Sequence, residues 1–198
     1  GHDIELIHGY LLGEGFIGGR EDVRGARYCE GSVLSQDTGF SQNTYNVISV
    51  QTENPVIRLA GPVSRECGQP SVDALDIIPP VRIAEDPTIV TAASIRAIAA
   101  ELVRRSGISP YTAASLTLTG TATTRDDARQ LLAVDKVLGW AAVAGLLSLE
   151  GAIVCMEGGA DASAVSHCVR AGVPIVIGLG APTSLACDIA KHFGVTLV

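Results

Sequence analysis

Between Gly151 and Val198 three short apolar runs, Ala152–Met156, Pro174–Leu179 and Val195–Val198, alternate with two stretches of helical pattern. The runs are rich in Val and Ile and carry no regular polar alternation, the pattern of strands covered on both faces. Each helical stretch closes on a glycine, Gly172 or Gly194, followed by Val and an extended segment. Glycine is the residue that most easily takes the left-handed conformation with which many helices end. Strand, helix and strand in succession make a parallel sheet with right-handed crossovers. Ligands gather beyond the carboxyl ends of such strands. The two turns at those ends, Glu157-Gly158-Gly159 and Gly178-Leu179-Gly180-Ala181-Pro182-Thr183, are therefore the first places to seek a site.

The rest of the chain has other textures. Residues 3–17 place Ile4, Ile7, Leu11 and Leu12 on one helix face, closed by Gly13 and Gly15. From Gly25 to Arg65 the segments ARYCEGSVL, NTYNVISVQ and PVIRLAG are short, β-branched and broken by turn residues, the clearest turn being Gln36-Asp37-Thr38-Gly39. A short helix and a Pro-rich connector occupy Pro70–Asp86, with Pro79-Pro80 as the boundary signal. Ile95, Ile98, Ala99, Leu102 and Val103 then recur at helical spacing, with Thr91 or Ser94 placed to cap the start. Ser115–Thr119 reads as a strand, and Asp126–Leu149 as the longest helix, its two opening acids suited to the positive end of the dipole. These patterns predict an α/β protein in two parts: an N-terminal helix and β-rich lobe over 1–86, and an α/β core over 87–198 with a mostly parallel sheet.

Charge and composition narrow the functional classes. A net charge of −7 argues against sequence-wide attraction to nucleic acid or anionic membrane. No apolar run reaches bilayer length and no signal-type stretch opens the sequence, although Gly1-His2-Asp3 reads as the middle of a longer phrase. Five cysteines, Cys29, Cys67, Cys155, Cys168 and Cys187, form no paired framework. An unpaired set of this kind fits a reducing cytoplasm. Cys155, Cys168 and Cys187 stand in apolar strand or helix contexts and read as core residues.

Cys67 stands apart, in the polar setting Ser64-Arg65-Glu66-Cys67-Gly68-Gln69-Pro70. A nearby guanidinium favours thiolate, the nucleophilic form, while Glu66 opposes it. An incidental loop cysteine is the competing reading. Zinc finds no support, since neither CxxC, HxE with PCxxC, nor HExxH occurs. Gly158-Gly159 could offer backbone N–H groups to an anion, with Glu157 and Asp161 arguing instead for a tight turn and a capping acid. Gly180-Ala181-Pro182-Thr183-Ser184 has no acid before Asp188 and is the better anion cradle. Asp135 and Lys136 read as a solvated face of their helix. His8 reads as a surface or packed histidine rather than a catalyst.

The segments HGYLLGEGFI, RYCEGSV with NTYNVISV, CGQPSVDAL, AVDKVLGWA and RAGVPIVIGLGAPTSLACDIAKHFGVTLV resemble, in that order, the FdhD/NarQ family of formate dehydrogenase accessory sulfurtransferases. The resemblance implies a cytidine-deaminase-like three-layer core without zinc, a β-rich lobe and a homodimer. It implies a carrier cysteine, matched by Cys67, that takes persulfide sulfur from a cysteine desulfurase. The sulfur then passes to the molybdenum or tungsten bis-guanine-dinucleotide cofactor of formate dehydrogenase. On this reading Gly158, Gly159, Gly180, Ala181, Thr183, Ser184 and Lys136 hold the nucleotide cofactor, and no cofactor is bound covalently.

The chain also departs from the family pattern. Ser64 takes the first cysteine position of CGVCG, Arg129-Gln130-Leu131-Leu132 stands where the family has GRHN, and Glu157-Gly158-Gly159 replaces SGR. Asp161, Ser163 and His167 fall where that segment carries Ser, Glu and Lys. Three readings follow: a sulfurtransferase acting through Cys67, the same fold repurposed as a small-molecule biosynthetic enzyme, or a non-catalytic binding paralogue. The second would draw on Glu157, Asp161, His167 and Asp135 for its chemistry.

Overall fold

The computed structural model describes residues 1–28, 32–34, 41–43, 47–53, 72, 77–107 and 109–198. Cys29, Cys67, the turn at 36–39 and the segment PVIRLAG lie outside them. The helix α1 (Asp3–Gly13) opens the chain, and the strands β1 (Val23–Tyr28), β2 (Ser32–Leu34), β3 (Ser41–Asn43) and β4 (Ile48–Thr52) follow. β1 pairs antiparallel with β4 and β2 with β3, so the described residues of the β-rich lobe form two two-stranded sheets. Of the connector, a 3-10 turn at Ile83–Glu85 is described.

The second half contains α2 (Ala92–Ser106), β5 (Thr112–Leu118), β6 (Thr121–Asp127), α3 (Gln130–Val143), β7 (Ile153–Gly159), α4 (Ala162–Arg170), β8 (Ile175–Gly180), α5 (Ser184–Phe193) and β9 (Thr196–Leu197). The sheet order is β6-β5-β7-β8-β9. Both pairings of β5 are antiparallel, whereas β7 with β8 and β8 with β9 are parallel. The sheet is thus mixed, which corrects the expectation of a mostly parallel one. The reason is the hairpin at Thr119-Gly120, where both residues have positive φ (48° and 81°) and turn the chain straight back.

Two faces of the sheet are covered unequally. Leu116, Val154, Met156 and Val176 meet α3, α4 and α5 in the main core. Ala113, Cys155, Ile175 and Ile177 face α2 through Leu102, with Ile95 and Ile98 alongside. Successive residues of β7 and β8 are buried in turn on the two sides, as their unalternated sequences require. Thr91 caps α2 by accepting from the Ser94 amide at 3.1 Å. Gly172 and Gly194 take φ of 80° and 77° just past α4 and α5, the left-handed endings expected of them.

The helix expected over 126–149 is shorter at both ends. Asp126 and Asp127 finish β6, and Gly145 at φ 71° follows the end of α3. Its polar pair is not solvated either: Asp135 is 0% and Lys136 6% exposed. For Asp135 the cause is α1, which lies against α3 at backbone contact distance, whereas Lys136 reaches the end of β6. A methyl group on Gly9 would collide with the Asp135 carbonyl, and one on Gly139 with the Glu5 carbonyl. This helix–helix contact joins α1 to the core across the boundary expected at residue 86.

Candidate functional site

Chain direction brings one edge of the sheet to attention. β6 and β7 both run antiparallel to β5 and therefore run the same way, and β8 runs parallel to β7. Each of β6, β7 and β8 leads directly into a helix. The N-termini of α3, α4 and α5 consequently gather at one edge, beyond the carboxyl ends of the strands. Aligned peptide dipoles and unsatisfied N–H groups make such ends favourable to negative charge or to ligand oxygens.

The glycines of this edge serve close approach. Gly159 and Gly180 are paired across β7 and β8 after a register shift that begins at Met156. A methyl group on Gly159 would strike the Ala181 carbonyl, and one on Gly180 would lie 2.8 Å from the Gly159 amide nitrogen. Gly158 has φ 81° and its α-carbon faces the Gln130 carboxamide. Asp161 accepts from the Ala164 amide at 2.8 Å and caps α4. Thr183 accepts from the Ala186 amide at 3.3 Å and caps α5, while its own amide donates to the Ala160 carbonyl. Gly180, Ala181, Thr183 and Ser184 are exposed. α3 starts without a side-chain cap.

Other nominated residues are committed inside the fold. Glu157 accepts from the Ser106 hydroxyl at 2.6 Å and the Ala113 amide at 2.8 Å, tying α2 to the sheet. Lys136 donates to the Asp126 carbonyl at 2.9 Å and pairs with Asp127 at 2.6 Å. Burial alone would raise the Asp127 carboxyl, but the hydrogen bond and charge of Lys136 hold it below its ordinary value. His167 is buried on α4, with Nδ1 2.7 Å from Asp135 Oδ1 and Nε2 3.9 Å from Glu14 Oε1. Burial pushes the Asp135 carboxyl up; His167 opposes the shift and Glu14 adds to it. Gly13 lies so close to the imidazole that no side chain would fit there. His8 is likewise packed, its Nδ1 2.8 Å from the Ile4 carbonyl oxygen.

The structure therefore gathers Gly158, Gly159, Asp161, Gly180, Ala181, Thr183 and Ser184 at one edge. Asp135 and His167 belong to a separate buried pair between helices, and Lys136 to the α3–β6 contact. Gln130, noted in the sequence only as a departure from GRHN, stands among the edge residues. Its position directly after β6 is the signal that would have placed it, once the hairpin at Thr119-Gly120 is read. A hollow of about 400 Å³ opens elsewhere, between Glu14–Gly18, Asp22, Thr52, Ile78–Pro80 and Arg170. Among the described residues no cluster of His, Cys, Asp and Glu side chains could hold a metal ion. Nor is any of their helices long and apolar enough to cross a membrane.

Fold and edge together define an α/β protein whose candidate binding surface is built from three helix N-termini at the end of a mixed sheet. The profile of the FdhD/NarQ family matches residues 1–198. The chain is 35% identical to the sulfur carrier protein FdhD of Mycolicibacterium paratuberculosis over 213 aligned positions, covering all of this chain and 76% of that protein. The protein of the same name from Nocardia farcinica is also 35% identical, with 73% of it covered. In three dimensions the chain is similar to a crystal structure from Desulfotalea psychrophila, of a protein assigned as a formate dehydrogenase accessory protein. That match has a TM-score of 0.62 at 22% identity and covers all of this chain and 72% of the other. The chain belongs to the FdhD/NarQ family.

Proposed function

We propose that this chain is an FdhD-type sulfur carrier for formate dehydrogenase, with Cys67 as the carrier thiol. The observation that supports it is the condition of two other cysteines, Cys155 and Cys168, both buried. Burial pushes the Cys155 thiol up to about 11, with Glu157 adding to the shift. Burial raises Cys168 as well, and the Asp135 carboxylate contributes. Sulfur transfer needs a thiolate, so thiols held protonated in a core are inert. Cys67, with Arg65 two positions away in a polar sequence, has the better setting. Its thiolate would attack the outer sulfur of a desulfurase persulfide, forming the Cys67 persulfide and releasing the desulfurase thiolate. The reading includes a cytoplasmic homodimer and a deaminase-like assignment for the core.

Delivery requires a place for the acceptor, a metal–pterin bound as a bis-guanine dinucleotide. The edge formed by α3, α4 and α5 suits its nucleotide part, because Gly180–Ser184 is open and exposed. With Lys136 engaged by Asp127, backbone and hydroxyl donors would carry that recognition rather than an ammonium group. The biosynthetic-enzyme alternative is less favoured, since Glu157, Asp161, Asp135 and His167 all serve hydrogen bonds within the fold.

Sulfur loading tests the proposal. Incubated with a cysteine desulfurase and free cysteine, the native chain should gain sulfane sulfur on one thiol, as read by intact mass. Cys155→Ala should load equally and Cys67→Ala should not load above background. Equal loading of the native chain and Cys67→Ala would overturn the assignment.

A further inference from the structure

The hollow of about 400 Å³ gathers features that the nominated residues of the sheet edge do not share. α1 ends at Gly13 and α4 at Arg170, and residues at both ends line it. Helix carboxyl ends carry partial negative charge, and α1 has no basic residue in its last turn. Glu14 and Asp22 stand in the same wall, the latter held in place by the Gly18 amide, which donates to its Oδ2 at 2.6 Å. Against these acids the wall sets Arg170, whose Nη1 donates to the Gly13 carbonyl at 2.8 Å. Leu12, Ile17, Pro79 and Ile78 supply apolar surface, and Ile78 is 76% exposed. A second hollow of about 180 Å³ adjoins the first through Gly18, Pro80 and Arg170, which makes the depression elongated. Its place along the chain is a separate observation. Thr52 and Ile78 both line it, and the segment between them carries Cys67. Eleven peptide links join Cys67 to Ile78, a tether no longer than about 40 Å.

We infer that this hollow is the docking place of the protein that supplies the sulfur, filled by an extended segment of that partner with a Lys or Arg side chain next to an apolar one. The inference rests on the sulfur-carrier reading given above. The partner's cation meets Glu14, Asp22 and the carboxyl ends of α1 and α4, and its apolar neighbour covers Ile78 and Pro79. An acidic segment would face like charge there. α4 links the hollow to the candidate edge: Asp161 caps its start at the edge, and Arg170, about 13 Å along, ends it at the hollow. A donor seated at the hollow therefore leaves the edge clear for the acceptor. The transfer keeps its balance: the Cys67 thiolate bonds to the outer sulfur of the donor persulfide, the donor's S–S bond breaks, and the donor leaves as a thiolate.

Loading of Cys67 from two donors, read by peptide mass, tests this: a cysteine desulfurase with free cysteine, and glutathione persulfide, a small donor that needs no docking. Ile78→Ser should raise the desulfurase concentration for half-maximal loading about 10-fold, the loss of most of one buried aliphatic side chain. Glu14→Gln should raise it about 3-fold at low salt, and the difference should shrink as salt is added. Ile89→Ser, which removes another open apolar residue outside both hollows, should load as the native chain does. All three variants should load from glutathione persulfide at the native rate, with melting temperatures within about 3 °C of native. Native half-saturation in both Ile78→Ser and Glu14→Gln would overturn the docking site. Equal slowing with both donors would overturn it too, since the substitutions would then act on Cys67 rather than on the partner. Loading of the native chain by the persulfide but not by the desulfurase would overturn the docking site and leave the carrier reading standing. No loading from either donor would overturn the carrier reading, and the docking site with it.

Discussion

The surroundings of α3 and the turns at the sheet edge both hold charged residues, and the two regions use them differently. Around α3 side chain meets side chain: Asp135 with His167, Lys136 with Asp127, and, on the neighbouring elements, Glu5 with Arg125. At the edge, polar side chains meet backbone: Asp161 and Thr183 cap helices through the Ala164 and Ala186 amides. A buried charge must be neutralised in place because few waters reach it. An edge residue needs only to satisfy one or two helix amides, which leaves the surrounding surface open to a ligand. The difference explains why residues nominated together as candidate chemistry fall into one region that is closed and another that is accessible.

The closed region is also the more fragile. Gly9 and Gly13 of α1 and Gly139 of α3 allow helix backbones and the His167 ring to meet with no intervening side chain. A Gly139→Val substitution would drive its β-carbon into the Glu5 carbonyl oxygen, a fixed backbone atom. Because α1 cannot separate from α3 without uncovering the buried Asp135–His167 pair between α3 and α4, relief by small shifts is costly. The expected loss is more than about 4 kcal/mol, enough to prevent folding at ordinary temperature. Thermal and urea unfolding measure it; a variant that melts within a few degrees of native would show that the two helices tolerate separation.

Much of this was legible in advance, for identifiable reasons. The strands β7 and β8, their helices and the glycines 172 and 194 follow from local pattern, because buried parallel strands have near-continuous apolar sequences. β6 did not announce itself: TATTRDD is polar, as suits an edge strand, and its first residues look like a loop. Missing it moved the expected start of α3 back to Asp126 and hid the place of Gln130. The burial of Asp135 and Lys136 was illegible for another cause. Charged residues flanked by apolar ones are usually solvated; here the approach of α1, over 120 residues distant in sequence, covers Asp135, and the end of β6 takes up Lys136. Family segments pointed correctly to the family and to a mixed α/β fold like that of a solved accessory protein, yet could not say whether Lys136 reaches a ligand or an aspartate.

The second test asks whether the charge pairs of the closed region stabilise through ionisation. Lys136→Met removes the ammonium and leaves Asp127 partly buried without its partner. A loss of about 2 kcal/mol at pH 7 is expected, less than for a fully buried pair because Asp127 keeps some water. The sign with pH follows from the depressed Asp127 carboxyl. A carboxyl whose folded value lies below its unfolded value stabilises above the unfolded value, about 4, and loses that contribution as pH falls through the folded one. The native chain should therefore lose stability on acidification below pH 4, while Lys136→Met, lacking the depression, should lose less. The gap between the two should shrink as pH falls. A gap that is constant from pH 7 to 3 would mean that Lys136 acts through its methylenes rather than its charge.

The smallest effects belong to the open edge, where each polar side chain satisfies a single helix amide. Thr183→Ala and Asp161→Ala should each cost about 1 kcal/mol, the usual worth of an N-terminal cap. Thr183→Ser keeps the oxygen that accepts from Ala186 and should recover most of the loss. Asp161→Asn keeps an acceptor for Ala164 but drops the charge that faces the α4 dipole, leaving a deficit of about 0.3–1 kcal/mol that fades with added salt. Equilibrium urea unfolding at low and high ionic strength resolves these differences. Losses of 3 kcal/mol or more at either position would erase the distinction between the two regions, since they would mean that the edge is held as rigidly as the charged interior around α3.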